Sequence, residues 1–213
     1  MGRGKSLKAC IRGGESASLE FKSVPPEETK LARVIASFAN SSGGDLVLGV
    51  DDLGRIVGLE DPAAARLALE GALARIHPRP ETRLEPYVHE LKDVLVLEVQ
   101  ALEEGSLCHV EEGNEDVLCF RVGKETRRVG RDVEKLVLNL RRRFAGRSAR
   151  VPEAKRLVDW LWERGEAPET ACAHHLNWSK HRLRKLAEAL VADGFLVPAR
   201  LGEGRTYQVI RRF

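Results

Sequence analysis

The chain has 213 residues, 43% of them hydrophobic and 31% charged, with 35 Lys and Arg against 32 Asp and Glu, for a net charge of +3. This is the composition of a globular protein with one large domain or two small ones. No apolar stretch approaches the roughly 18 to 20 residues of a membrane span.

The modest total charge hides an asymmetry. Acids are spread along the chain, whereas basic residues gather at Arg121 to Arg131, Arg141 to Arg150 and Lys180 to Lys185. Local patches of that kind suit a polyanionic partner better than the net charge does. Cys10, Cys108, Cys119 and Cys172 have no metal-finger spacing, so a zinc module or a disulfide scaffold is not expected. His174, His175 and His181 lack a carboxylate or cysteine at ligand spacing and read as surface or capping histidines. The start, MGRGKSLKAC, has no apolar run of the signal-peptide kind, which predicts a cytoplasmic protein. Gly4-Lys5-Ser6 mimics the end of a phosphate-binding loop but has no room for that motif's first glycine, so ATP binding is not expected.

The elements follow in chain order. In GGESASLEFKS, Glu20 and Lys22 alternate with Leu19 and Phe21, so period two puts both charges on one strand face. That face is expected to be wet or functional. Pro25-Pro26-Glu27-Glu28 opens a helix whose Leu31, Val34, Ile35 and Phe38 share a face, and Asn40 to Gly44 ends it. Asp45 to Val50 reads as a buried strand, and Arg55 to Leu59 as its partner across the Asp51-Asp52-Leu53-Gly54 turn. A helix spans Asp61 to Arg75, capped by Asp61 and opened by Pro62. Strands are predicted at Arg83 to Leu91 and Val94 to Gln100 around a Lys92-Asp93 turn, then at Val117 to Val122, and a helix at Asp132 to Phe144. Strands and helices mix in no regular order, so the fold class is α+β.

Residues 146–153 read as a linker between a domain at 1–145 and a second at 154–213. In the second, helices begin at Ala154 and Pro168, an Asn177-Trp178 turn follows, and Ser179 caps a third helix. That helix buries Leu183, Leu186, Ala187 and Leu190 and leaves Lys180, Arg182 and Lys185 available. A hairpin, Leu196 to Leu201 and Arg205 to Ile210, closes the chain. This is the order of a winged helix-turn-helix, a module that binds DNA or docks proteins.

The segments ESASLEFK, SFANSSGGDLVLGVDDLGRIVGL and FRVGKETRRV, in that order, resemble the Schlafen-like domain, also described as an AlbA-type DNA-binding domain, over roughly residues 13 to 145. The resemblance implies a three-carboxylate, metal-dependent site that cleaves transfer and ribosomal RNA. Its ligands would be Glu15, Glu20 and Asp52, with Asp51 as the alternative to Asp52, and its metal Mg²⁺ or Mn²⁺. Lys22 would hold a phosphate oxygen. Arg121, Lys124, Arg127 and Arg128 would line a basic groove, and Lys180, Arg182, Lys185 and Arg205 a second nucleic-acid surface. Because the nuclease members join two lobes, a homodimer is expected. The competing expectation is a non-enzymatic DNA-binding transcriptional regulator that works through the winged helix.

Overall fold

The computed structural model describes residues 7, 11–103, 106–144, 151–200 and 204–210. Gly4-Lys5-Ser6 and Cys10 lie outside them. The elements run β1 (Leu19–Lys22), α1 (Glu28–Ala39), β2 (Gly44–Leu48), α2 (Pro62–Ala74), β3 (Ile76–His77), β4 (Thr82–His89) and β5 (Lys92–Val99). They continue with β6 (His109–Glu112), β7 (Glu115–Val117), β8 (Cys119–Val122), β9 (Glu125–Arg128) and α3 (Arg131–Phe144). The last are α4 (Pro152–Arg164), β10 (Glu166–Pro168), α5 (Glu169–Leu176), α6 (Lys180–Ala192), β11 (Leu196–Arg200) and β12 (Thr206–Val209). The class is α+β.

The chain divides into two units, Met1–Leu102 with Leu107–Arg128, and Glu103–Ser106 with Val129–Phe213. The boundary therefore falls after Arg128 and not in the expected 146–153 linker, of which 146–150 lie outside the described residues. The reason is α3: Val133, Val137 and Leu140 are buried, and the helix packs on α6 and β11 of the second unit.

The first unit is built on a four-stranded sheet of order β1-β2-β5-β4, with β1 parallel to β2 and the other pairs antiparallel. Its two faces meet separate cores. On one, Leu46, Leu48, Leu95 and Leu97 pack under Leu31, Ile35 and Phe38 of α1 and Leu69 and Leu73 of α2. On the other, Phe21, Val47 and Val96 pack with Leu7 and Ile11. Each such fully buried side chain contributes about 1.5–3 kcal/mol. α1 ends at Asn40, and Gly43 (φ 75°) turns the chain where an added Cβ would lie 2.7 Å from Val99 O. At Gly44 it would lie 2.6 Å from the Phe38 ring. Close packing therefore explains both glycines.

Asn40 ties α1 to the smaller sheets β3-β6-β7 and β8-β9. Its amide donates to Cys108 O (2.8 Å) and Cys119 O (3.0 Å), and its oxygen accepts from Cys108 N (2.9 Å). Three expectations are corrected here. Residues 55–59 form only an isolated bridge, Val50 with Ile56. The β4–β5 turn is Glu90-Leu91, with φ of 51° and 63°, because the ladder from Thr82↔Val99 to His89↔Lys92 uses Lys92 and Asp93 as strand. The single strand at 117–122 is two, β7 and β8, pairing with different partners.

In the second unit, α4 buries Ala154, Leu157, Val158 and Leu161, and Gly165 (φ 78°) closes it. Asn177, left-handed at φ 55°, turns the chain between α5 and α6, and Ser179 caps α6 by accepting from Arg182 N at 3.3 Å. β10 joins the terminal hairpin in a sheet of order β10-β12-β11. Among the described residues, no helix is long and apolar enough to cross a membrane.

Candidate nucleic-acid interface

Of the two charges of β1, Glu20 is shut off from water and Lys22 is partly exposed. Glu20 is 8% exposed, because residue 121 arrives from β8 to cover it. Arg121 Nη2 donates to Glu20 Oε2 at 2.7 Å, to Ser16 O at 2.9 Å and to Leu19 O at 3.4 Å. The Arg121 guanidinium carbon stands 4.9 Å above the Phe38 ring. On the other side, Lys22 Nζ donates to Glu20 Oε1 at 2.6 Å and to Phe21 O at 2.8 Å. Glu15 Oε1 accepts from Phe21 N at 3.0 Å and lies 3.8 Å from Lys22 Nζ. Glu15, Glu20 and Lys22 are therefore brought together, with Arg121, as an ion-pair network.

Each Glu20 oxygen accepts from a cationic donor, Lys22 at Oε1 and Arg121 at Oε2, so this network balances the carboxylate's charge without a metal ion. Among the described residues, no three His, Cys, Asp or Glu side chains converge as metal ligands. The expected cluster of Glu15, Glu20 and Asp52 is thus not assembled in this arrangement. Asp51 is spent on its own turn. Its Oδ1 accepts from Leu53 N and Arg55 N and its Oδ2 from Arg55 Nε. The Arg55 backbone N–H, more than its guanidinium, holds the Asp51 carboxyl below its ordinary value. Exposed Asp52 lines a cleft of about 530 Å³ with Arg12, Leu53, His89 and Lys92. Burial pushes the Cys108, Cys119 and Cys172 thiols up to about 12, so none supplies a thiolate at neutral pH.

The basic stretch after β8 also separates. Arg121, expected to touch nucleic acid, is 1% exposed and serves the interior instead. Lys124, Arg127 and Arg128 are exposed. Arg127 pairs with Glu125 at 3.0 Å, and Arg128 lies 3.6 Å from Glu112. Glu112 is itself gripped by Arg33 through two bonds of 2.5 Å, which hold its carboxyl below the ordinary value.

In the second unit, α6 buries Leu183, Leu186, Ala187 and Leu190 and exposes Lys180, Arg182 and Lys185. Arg182 stacks on Trp178, its guanidinium carbon 3.8 Å from the ring centroid. Arg184 is turned away into a bidentate pair with buried Glu169, at 2.5 and 2.9 Å. Arg205, before β12, is half-buried, and its carbonyl accepts from Glu169 N. The arrangement offers phosphate-sized donors on one helix face and beside the hairpin.

The sequence profile described as Schlafen, AlbA_2 matches residues 15–130, more than half of the chain. The chain belongs to the Schlafen, AlbA_2 family. Membership points to nucleic-acid interaction. A crystal structure of the DIP2311 protein from Corynebacterium diphtheriae is similar at 22% identity and a TM-score of 0.43. That match covers 68% of this chain and 33% of the other. The Schlafen, AlbA_2 match takes in Glu15, Glu20, Asp52 and Arg121, and leaves α3 to β12 outside it.

Sequence reasoning overlooked three features of this Schlafen, AlbA_2 protein. The cleft residues Arg12, His89 and Lys92 are distant in sequence and carried no motif. Arg184 could not be told from its basic neighbours without seeing Glu169. Trp178 did leave a signal: it stands four residues before Arg182, a spacing that lets a turn residue meet the first helical turn.

Proposed function

We propose that the protein is a non-enzymatic regulator that binds double-stranded DNA through its second unit, a winged helix-turn-helix in which α5 and α6 form the helix pair and β11–β12 the wing. The observation that carries this reading is the exposed face of α6, where Lys180, Arg182 and Lys185 lie opposite the buried leucines. A helix presented in this way fits a major groove, and its cations replace counterions condensed on the phosphates. In a homodimer, two α6 helices would address half-sites about 34 Å apart.

The test is a duplex-DNA titration at several salt concentrations with a variant carrying Lys180→Ala, Arg182→Ala, Lys185→Ala and Arg205→Ala. Affinity is expected to fall, and the log–log salt slope to shrink by about 0.9 for each phosphate that is no longer neutralised. Binding equal to that of the parent would sink the reading and make the unit a protein-docking module.

The enzymatic reading, a metal-dependent endoribonuclease with Glu15, Glu20 and Asp52 as ligands of Mg²⁺ or Mn²⁺, is supported by the family resemblance and by the closeness of Glu15 and Glu20 at Lys22. The donors around Glu20 oppose it. Cleavage of tRNA by the purified protein with either ion, lost in Glu20→Gln while RNA binding persists, would displace the non-enzymatic reading.

A further inference from the structure

We propose that Arg182 reads a guanine edge in the DNA major groove and that Trp178 is the positioning residue that holds it in the reading pose; this rests on the duplex-DNA reading of α6. The first residues of a major-groove helix are the ones that reach base edges. Five cations or potential cations occupy the first turn and a half of α6: Lys180, His181, Arg182, Arg184 and Lys185. Of these, the two arginines carry the planar fork that matches the paired acceptors O6 and N7 of guanine, because a lysine is a single charged point. Arg184 has this fork, but buried Glu169 takes its Nε–Nη2 edge at 2.5 and 2.9 Å and neutralises its charge.

Arg182 is held differently. Its guanidinium carbon lies over the Trp178 ring, 3.8 Å from the centroid, and among the described residues it has no carboxylate partner. An aromatic ring engages the face of a guanidinium and leaves the N–H groups of its edge free to donate. The backbone that carries the indole is fixed: the Trp178 main-chain N–H donates to Ala173 O at 2.9 Å, and the preceding Asn177 is in the left-handed conformation. Ser179 then caps the helix at Arg182 N. The long Arg182 side chain is thus held over the indole before any ligand arrives, which lowers the ordering cost of a bidentate contact. A phosphate contact needs no such orientation. The plain alternative is that Arg182 only shields a half-buried tryptophan from water.

The experiment uses the full chain and a pool of duplexes with a randomised core. The parent is expected to select a site with guanine at a fixed position. The ratio of its affinity for that site to its affinity for a site with guanine replaced should be about 5- to 150-fold, the range of one bidentate base contact. Arg182→Lys keeps the charge and should bring that ratio close to one. Trp178→Leu should reduce the ratio at the same position. Far-UV circular dichroism checks the fold of both variants, and Arg182→Lys, at an exposed position, tests the idea even if the tryptophan variant unfolds. The proposal is overturned if Arg182→Lys keeps the parent's guanine preference, or if it weakens both duplexes equally, the mark of a phosphate contact. It is overturned for Trp178 alone if a folded Trp178→Leu keeps the ratio. A parent that binds duplexes without base preference refutes base reading, whereas a parent that binds no duplex refutes the DNA reading beneath it.

Discussion

Replacing Arg121 by alanine should destabilise the first unit far more than it alters nucleic-acid affinity. The guanidinium is 1% exposed and is held by Glu20 at 2.7 Å, by Ser16 O at 2.9 Å and by the Phe38 ring. Truncation leaves Glu20, 8% exposed, with Lys22 alone, frees a backbone carbonyl and opens a void beside Phe38. Breaking one side of a buried ion pair costs about 3–5 kcal/mol. That is about a fifth or more of the stability of an ordinary domain, and it corresponds to a fall of roughly 10–20 °C in Tm for a unit of this size. Glu20→Gln keeps an acceptor for Arg121 and should cost less, about 1–3 kcal/mol. Urea melts can assign the loss to the correct unit, since Trp160, Trp162 and Trp178 all belong to the second. Far-UV circular dichroism should show an early transition that tryptophan fluorescence does not follow. If Arg121→Ala melts within about 1 kcal/mol of the parent while nucleic-acid affinity drops, the side chain contacts ligand and the buried pair is not its role.

Acid should weaken the second unit in two stages. Burial, reinforced by Arg156, lowers His175 below 6.5, and the Arg184 pair lowers Glu169 below 4.5. In both cases the unfolded chain takes up the proton first, so the stability is full above the ordinary value and is lost as pH falls through the folded one. Tryptophan-detected melting between pH 8 and 3 should show both steps, with His175→Phe flattening the upper and Glu169→Gln the lower; unchanged profiles would contradict the assignments. Asn40→Ala should cost about 1–3 kcal/mol, because it strands Cys108 N–H and two carbonyls inside the first unit. Hydrogen exchange at Cys108 should rise with it, and a neutral result would mean that the smaller sheets do not depend on this staple.

Features whose physics is local were legible in the chain itself. The buried stripe of α1, the caps at Asp61 and Ser179 and the stop at Gly165 rest on groups a few residues apart, so spacing carried the information. The β4–β5 turn was misplaced because eight ladder positions outweigh the turn preference of Lys92-Asp93. The candidate site was legible only as a set of residues. Glu20 and Arg121 stand 101 positions apart, and Arg33 and Glu112 stand 79. Alternation predicted a shared charged face on β1, and that much was right. Whether the face meets water, a metal or an arginine depends on which distant strand packs over it. Burial removes the competing water, so the fold decided the role of these charges: it placed Arg121 against Glu20, placed Glu169 against Arg184, and left Arg182 exposed on Trp178.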